Sequence, residues 1–255
     1  MYFDLVSDIH VEHWDNNYDF LKEKQSNILV VAGDISDDPV RSFEWLSVVS
    51  SEYSQILVVD GNHEHQGRGF PLTEINAEFK ELCDKIANVH YLADGMFVKD
   101  GVAFIGRCGW WNYMVGEPHV RWDQSHTHFT EYAGIEATNA ILAQSARDYA
   151  GVLEDCLHAE MNDAIQSVVV VTHTLPHSRG VSWNVYPAVN NAVGCYGNSL
   201  MENIPVYCSK VKLWCFGHNH DQQTFNLNRV QYISNPRGRP QDFNRETYSP
   251  QHIWV

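Results

Sequence analysis

Asn27-Ile28-Leu29-Val30-Val31-Ala32 runs apolar without a break and stops at Gly33-Asp34. Gln55-Ile56-Leu57-Val58-Val59 does the same and stops at Asp60-Gly61-Asn62-His63-Glu64. Strands that stay apolar at every position are buried on both faces, as when helices or a second sheet cover each side. Working outward, Tyr2–Ser7 reads as a strand ending at Asp8-Ile9-His10. Ser167–Thr172 ends at His173, and Lys212–Phe216 ends at Gly217-His218-Asn219-His220. Helical patterns lie between the early strands. Asp37–Ser51 opens on acidic residues and Pro39, which suit a first helical turn, and Pro71–Ala87 spaces Leu72, Ile75, Phe79, Leu82 and Ile86 along a helix. This β-α-β-α-β alternation predicts an α/β domain with its ligands at the carboxyl ends of the strands.

Val89–Leu92, Met96–Val98 and Val102–Ile105 read as short strands, with Asp94-Gly95 and Asp100-Gly101 as hairpin turns. Trp110–Thr130 is polar and aromatic and reads as an irregular insertion, while Ala133–Asn162 reads as mostly helical. Residues about 107–166 are therefore expected to form a cap or insertion on a single domain spanning 1–255. Leu175–Asn203, rich in Pro, Gly and Asn, reads as loop with a short helix. Gln222–Leu227 and Arg229–Ser234 form a last hairpin before Asn235-Pro236-Arg237-Gly238.

The 255 residues are 44% hydrophobic and 19% charged, which excludes a disordered chain or a coiled coil. A net charge of −15 repels phosphate backbones and anionic lipid, so extended nucleic acid and a membrane surface are not expected partners. No apolar run reaches the roughly 18 residues of a membrane span. The six cysteines contain no Cys-x-x-Cys pair, and the chain enters a strand at once, with no basic n-region. Both features point to thiols in a reducing cytoplasm.

Five strands end in metal-ligand residue types: Asp8-x-His10, Asp34, Asn62-His63, His173 and His218-x-His220. Singly each has a plain explanation, since Asp caps helices and Gly-Asn makes turns. Together they converge, because the strands of one sheet bring their carboxyl ends to one edge. Seven ligand-type side chains in one crevice suit a dinuclear metal site, with one carboxylate bridging two ions about 3.5–4 Å apart. The mixture of oxygen and imidazole donors favours Mn or Fe, with Zn and Co also compatible, over Ca²⁺ or an all-thiolate site.

This ordered set resembles the calcineurin-like metallophosphoesterase superfamily from Asp8 to His220, and Asn235-Pro236-Arg237-Gly238 resembles the tail of many of its prokaryotic and phage-type members. The resemblance implies an α/β fold of two mixed β-sheets packed face to face with helices on both outer sides. It also implies two transition-metal ions: Asp8, His10 and His220 on one, Asn62, His173 and His218 on the other, with Asp34 bridging. His63 would face the substrate without holding a metal, and Asp37 would orient it, as in some branches of the family. Arg residues that accompany the second and third motifs in protein Ser/Thr phosphatases are replaced here by Asp38-Pro39 and Val59-Asp60, which argues against a phosphoprotein substrate.

The expected reaction is hydrolysis of a phosphate ester of a small metabolite or nucleotide. Water on such a metal has its pKa lowered toward ~7 and supplies the hydroxide, with His63 assisting the leaving group or the phosphate oxygens. Hydrolysis of cyclic or short oligonucleotide diesters is the alternative. A non-catalytic metal-binding module is the third reading, against which the intact His63 counts. Arg107 and Arg237 are candidate phosphate clamps, and Trp111 a candidate stacking surface. His65, His126, His128 and His177 are expected to lie outside the metal shells. Oligomeric state is not written in these motifs.

Overall fold

The computed structural model describes residues 1–66, 71–115, 139–181, 195–242 and 247–255. Its strands in chain order are β1 (Tyr2–Val6), β2 (Ile28–Ala32), β3 (Gln55–Val59), β4 (Val89–Tyr91), β5 (Phe97–Lys99), β6 (Val102–Arg107), β7 (Ser167–Thr172), β8 (Val211–Phe216), β9 (Gln223–Leu227), β10 (Val230–Ser234) and β11 (Gln251–Trp254). The helices are α1 (Pro39–Val49), α2 (Leu72–Cys83), α3 (Asn139–Arg147), α4 (Ala150–Met161) and the short α5 (Ile204–Tyr207).

Two mixed sheets result. The first has the order β11-β1-β2-β3-β4 and the second β5-β6-β7-β8-β10-β9. In the first, β1 to β4 run parallel and only β11 is antiparallel; in the second, β6, β7, β8 and β10 run parallel between antiparallel edges. The unbroken apolar runs have the expected cause. Leu5, Val30, Ala32, Leu57 and Val59 meet Phe104, Val169, Val171 and Cys215 between the sheets. On the outer face of the first sheet, Leu29, Val31, Ile56 and Val58 pack under Trp45 and Leu46 of α1 and Phe79 of α2. On the outer face of the second, Ala103, Ile105 and Val170 pack under Val152, Cys156 and Ala159 of α4. The central strands are thus sandwiched between helices and the other sheet, giving the four layers α, β, β, α.

Helix α1 starts where its sequence says it should. The Asp38 carboxylate accepts the backbone N–H groups of Val40 at 2.7 Å and Arg41 at 3.3 Å, and Pro39 takes the first position.

Some expectations need correction. Asp94-Gly95 is not a hairpin turn: β4 runs parallel to β3 in the first sheet, and the chain crosses there to β5 in the second. Asp100-Gly101 does close the β5–β6 hairpin. The stretch expected to be mostly helical, as one helix or two, holds α3 and α4 among the described residues, and α4 lies within the outer helical layer. Residues 116–138 of the expected insertion lie outside the described residues, as do 182–194 of the later loop. β11 has no counterpart in the sequence reading; only Ile253 of its four residues is buried. None of the six cysteines forms a disulfide. No helix among the described residues is long and apolar enough to cross a membrane.

Candidate metal centre

All five strand ends open on one rim, and the backbone there is bent hard. Asp8, His10, Asp34, His218 and His220 hold φ between 48° and 77°. Left-handed backbone costs a non-glycine residue roughly 1–3 kcal/mol, and it persists only where the surroundings over-determine it. Glycines make the close approach feasible. A Cβ on Gly217 would stand 2.5 Å from Asp8 Oδ2, and one on Gly61 would overlap Asp34 Oδ1. The Gly-His and Gly-Asn pairs seen in the sequence therefore leave room for a carboxylate arriving from a neighbouring strand.

The side chains gather into two sets. Donor atoms of Asp8, His10 and His220 lie within 4.8 Å of one another, and so do those of Asp34, His173 and His218. Asn62 Oδ1 is 3.1 Å from His173 Nε2 and joins the second set. Asp34 stands between the sets, its Oδ2 3.1 Å from His173 Nε2 and 3.9 Å from His10 Nε2. Six of the seven are buried, and the His220 side chain is 11% exposed.

The hydrogen bonds around these groups orient them for a cation. His10 Nδ1 donates to Glu12 Oε1 at 3.0 Å, and His220 Nδ1 to Asp242 Oδ2 at 2.6 Å. With both Nδ1 protons committed to carboxylates, the Nε2 lone pairs of these two rings face each other at 3.0 Å. Two acceptors that close repel unless a cation lies between them. Asp8 Oδ2 is buried with no hydrogen-bond partner, which a bound cation would also remedy. His173 is fixed by Ala32 O at 2.9 Å and His218 by Cys195 O at 2.9 Å, the outer-layer bonds that set the ring face offered to a metal. The residues fit a pair of transition-metal ions.

Protonation follows the same geometry. Burial, then His63 and His220, keeps His10 well below its ordinary pKa, and burial with His173 takes His218 down to about 3. Burial also opposes a charge on His173, but the Asp34 and Asp8 carboxylates outweigh it and push its pKa up to about 10. Against its own burial, Asp34 is held well below the carboxylate range by His173, His63 and His10.

The sequence pattern of the calcineurin-like phosphoesterases (Metallophos) matches residues 1–222. The chain belongs to this family. It is 22% identical over 267 residues to the uncharacterized protein L509 of Acanthamoeba polyphaga mimivirus, covering 96% of this chain and 93% of that one. Two solved structures share the fold. The phosphopantetheinyl hydrolase PptH of Mycobacterium tuberculosis has a TM-score of 0.70 at 16% identity, with 98% and 95% of the two chains covered. A dimetal phosphatase from Danio rerio has 0.53 at 14%, with 92% and 86% covered. The protein is a metal-dependent hydrolase of phosphoric esters.

Family membership does not rescue every expected site residue. His63 is at the site: its Nε2 is 4.0 Å from Asp34 Oδ2, and its backbone N–H donates to Asp34 Oδ1 at 2.8 Å. Asp37 does not reach it. That carboxylate is about half exposed and accepts from Arg41 Nη1 at 3.0 Å and Ser36 Oγ at 3.2 Å, because it sits at the start of α1 with Arg41 one turn ahead. Arg107 leaves the site as well. Its guanidinium presses on Gly151 of α4 and lines a cavity of about 360 Å³ with Tyr91, Asn76 and Trp110, to which none of the seven donors contributes. Arg237 is wedged between Trp14 and Phe20, 4.3 and 4.9 Å from their ring centres, and donates to Asn17 Oδ1. It is a packing residue and not a phosphate clamp.

Trp111 is also corrected. It is fully buried and stacks on His218, with ring centres 5.6 Å apart and planes at 15°, so it offers no face to a nucleobase. Trp111→Ala should cost about 3–5 kcal/mol. It should lower Tm and weaken metal retention, while changing KM for p-nitrophenyl phosphate and for a nucleotide alike. A KM rise confined to the nucleotide would contradict the buried role. Of the extra histidines, His65 is buried against Asp60 at 2.9 Å and His177 accepts from Arg179 N; His126 and His128 lie outside the described residues.

Three site residues escaped the sequence reading. Glu64, beside His63, accepts from the backbone N–H groups of Asp34, Ile35, Ser36 and Gly61 and from Ser42 Oγ, at 2.7–3.3 Å. Asp242 holds His220 and also accepts from Arg239 N at 2.7 Å. Arg239 Nη2 lies 3.4 Å from His63 Nε2. Glu64 carried a sequence signal, an acid inside a motif that otherwise supplies ligands. The other two did not.

Proposed function

We propose that the enzyme hydrolyses the phosphate ester of a small metabolite. The proposal rests chiefly on Asp34 standing between two buried donor sets. Asp8, His10 and His220 would hold one ion, Asn62, His173 and His218 the other, and Asp34 both. Mn and Fe suit these donors first, Zn and Co next. When bound, two divalent ions supply an activated water and offset the charge of the phosphate. The remaining tasks fall to the protein. The buried rim excludes bulk water, and the acidic surface, with its net charge of −15, disfavours long polyanions, so nucleic acid is a poor substrate.

His63 is placed to hand a proton to the leaving oxygen. Burial lowers its pKa, Arg239 lowers it further and Asp34 pulls the other way, with a net downward shift. The resting imidazole therefore leans to the neutral form. An arriving phosphate anion would raise its pKa by proximity of opposite charge, so the proton is taken up with the substrate and not stored beforehand. The burial of Trp111 removes the stacking face that favoured nucleotides over other small esters.

The test is a chelation and reconstitution experiment. Purified protein should carry close to two transition-metal ions per chain, lose hydrolysis of p-nitrophenyl phosphate in chelator and regain it with Mn²⁺. Bis-p-nitrophenyl phosphate, nucleotides, sugar phosphates and phosphopantetheine then define the ester class. His63→Ala should keep both ions and lower kcat roughly 10²–10⁴-fold. Full activity in chelator, or loss of metal from His63→Ala, would refute the assignment.

A further inference from the structure

Two arginines follow β10 with one glycine between them, and the structure uses them differently. Arg237 is buried between Trp14 and Phe20 and spends its hydrogen bonds on Asn16 and Asn17. Arg239 turns to the opposite side of the same segment. Its Nη2 reaches His63 Nε2 at 3.4 Å, and its Nε is buried with no hydrogen-bond partner. Among the described residues, no carboxylate lies within 4.0 Å of its guanidinium. A partly buried guanidinium normally answers to an anion, because leaving it without one costs desolvation with no return. Among the described residues, the side chain it addresses is His63, the histidine expected to face the substrate.

The backbone that carries Arg239 is tied to the metal centre. Asp242 Oδ2 accepts both the Arg239 backbone N–H, at 2.7 Å, and the His220 Nδ1 proton, at 2.6 Å, while Asp242 N donates back to Arg239 O at 2.9 Å. One carboxylate thus sets the position of a metal-facing imidazole and of the arginine together. Gly238 N donates to Asp8 O at 2.8 Å and fastens the same turn to β1's end. The guanidinium is held beside His63 by main-chain anchors that do not depend on its own side chain.

We propose that Arg239 is the substrate-positioning cation of this enzyme, donating to phosphate oxygens that do not react and orienting the ester against His63. This rests on the phosphoesterase reading above and adds to it the residue that recognises the phosphoryl group. The planar fork of an arginine matches two phosphate oxygens at once, which a lysine cannot do. Arg239 would release His63 Nε2 as the anion arrives, freeing that nitrogen for the leaving group.

The experiment compares wild type, Arg239→Ala and Arg239→Lys, all Mn²⁺-loaded, with Arg147→Ala on the exposed end of α3 as the charge-matched control. Inorganic phosphate is the probe, its affinity read by calorimetry and by competition against p-nitrophenyl phosphate. Arg239→Ala should weaken phosphate binding roughly 10- to 100-fold and raise KM by a similar factor, the range for lost hydrogen bonds between charged groups. Metal content and Tm should not move. Arg239→Lys should recover only part of the affinity, and Arg147→Ala should match wild type. If wild type hydrolyses the ester and Arg239→Ala binds phosphate within about twofold of it, the proposal is overturned while the phosphoesterase reading stands. If loaded wild type neither hydrolyses the ester nor binds phosphate, both fall.

Discussion

Asp34→Asn should abolish metal retention at both positions and reduce hydrolysis at least 10³-fold. The estimate comes from charge. Losing one unit charge about 4 Å from another is worth about 4 kcal/mol at an effective dielectric of 20, and each 1.4 kcal/mol is tenfold. Divalent ions at bonding distance make that a lower bound. The substitution is nearly isosteric, so the backbone bond from His63 N to Oδ1, 2.8 Å in the parent, can persist if the amide oxygen takes that place. A fall in activity then reports on charge and not on collapse. Asn62→Ala is the contrast, since Asn62 faces only the His173 set and should weaken one ion far more than the other. Titrating Mn²⁺ into both variants and counting bound ions per chain decides the matter. If Asp34→Asn loses only one ion, its carboxylate does not serve both.

The second large effect is on stability. Glu64 is completely buried and receives four backbone N–H groups and one hydroxyl, drawn from the loops after β2 and β3 and from α1. Glu64→Ala would strand those donors inside the protein and should cost about 3–5 kcal/mol, lowering Tm by roughly 10 °C in a chain of this size. Glu64→Gln is the sharper test. The parent carboxylate accepts through both oxygens, so an amide must turn its NH₂ toward the N–H groups of either Gly61 and Asp34 or Ile35 and Ser36. A glutamine should therefore rescue little. Thermal unfolding of the three proteins is the measurement, and a glutamine variant as stable as the parent would show that the donors do not need both oxygens. Because the same loops carry Asp34 and Asn62, loss of Glu64 should also loosen metal binding.

The titration of His173 gives metal uptake a pH dependence with a definite sign. Its pKa is pushed up to about 10 beside Asp34 and Asp8, so at neutral pH a proton holds the position a cation would take. Binding there must release that proton, and apparent affinity falls as pH is lowered.

How much of this could be read from residues alone depends on the range of the interaction involved. β2, β3, β7 and β8 are legible because an unbroken apolar run can be satisfied only by burial on two sides, a property of the segment itself. Helix α1 is legible because Asp38 caps it from within three residues. The seven donors are legible because each motif marks the carboxyl end of a parallel strand, but the expectation that one sheet carries them is corrected: β1, β2 and β3 lie in the first sheet and β7 and β8 in the second, and only the packing of the two sheets brings their ends to one rim. Only the tertiary structure decided where side chains in irregular backbone point. A single glycine separates Arg237 from Arg239, yet one packs against Trp14 and the other meets His63, and no periodicity governs a turn. Asp37 looked suited to His63 by proximity to Asp34, but one helical turn gave it Arg41 instead. Trp111 looked like an exposed ring in a polar stretch, and folding stacked it under His218, more than 100 residues away. Glu64 and β11 make the same point. Three of the backbone partners of Glu64 come from a loop about thirty residues distant, and the strand partner of β11 is at the other end of the chain, so neither could be assigned until folding had brought those segments together.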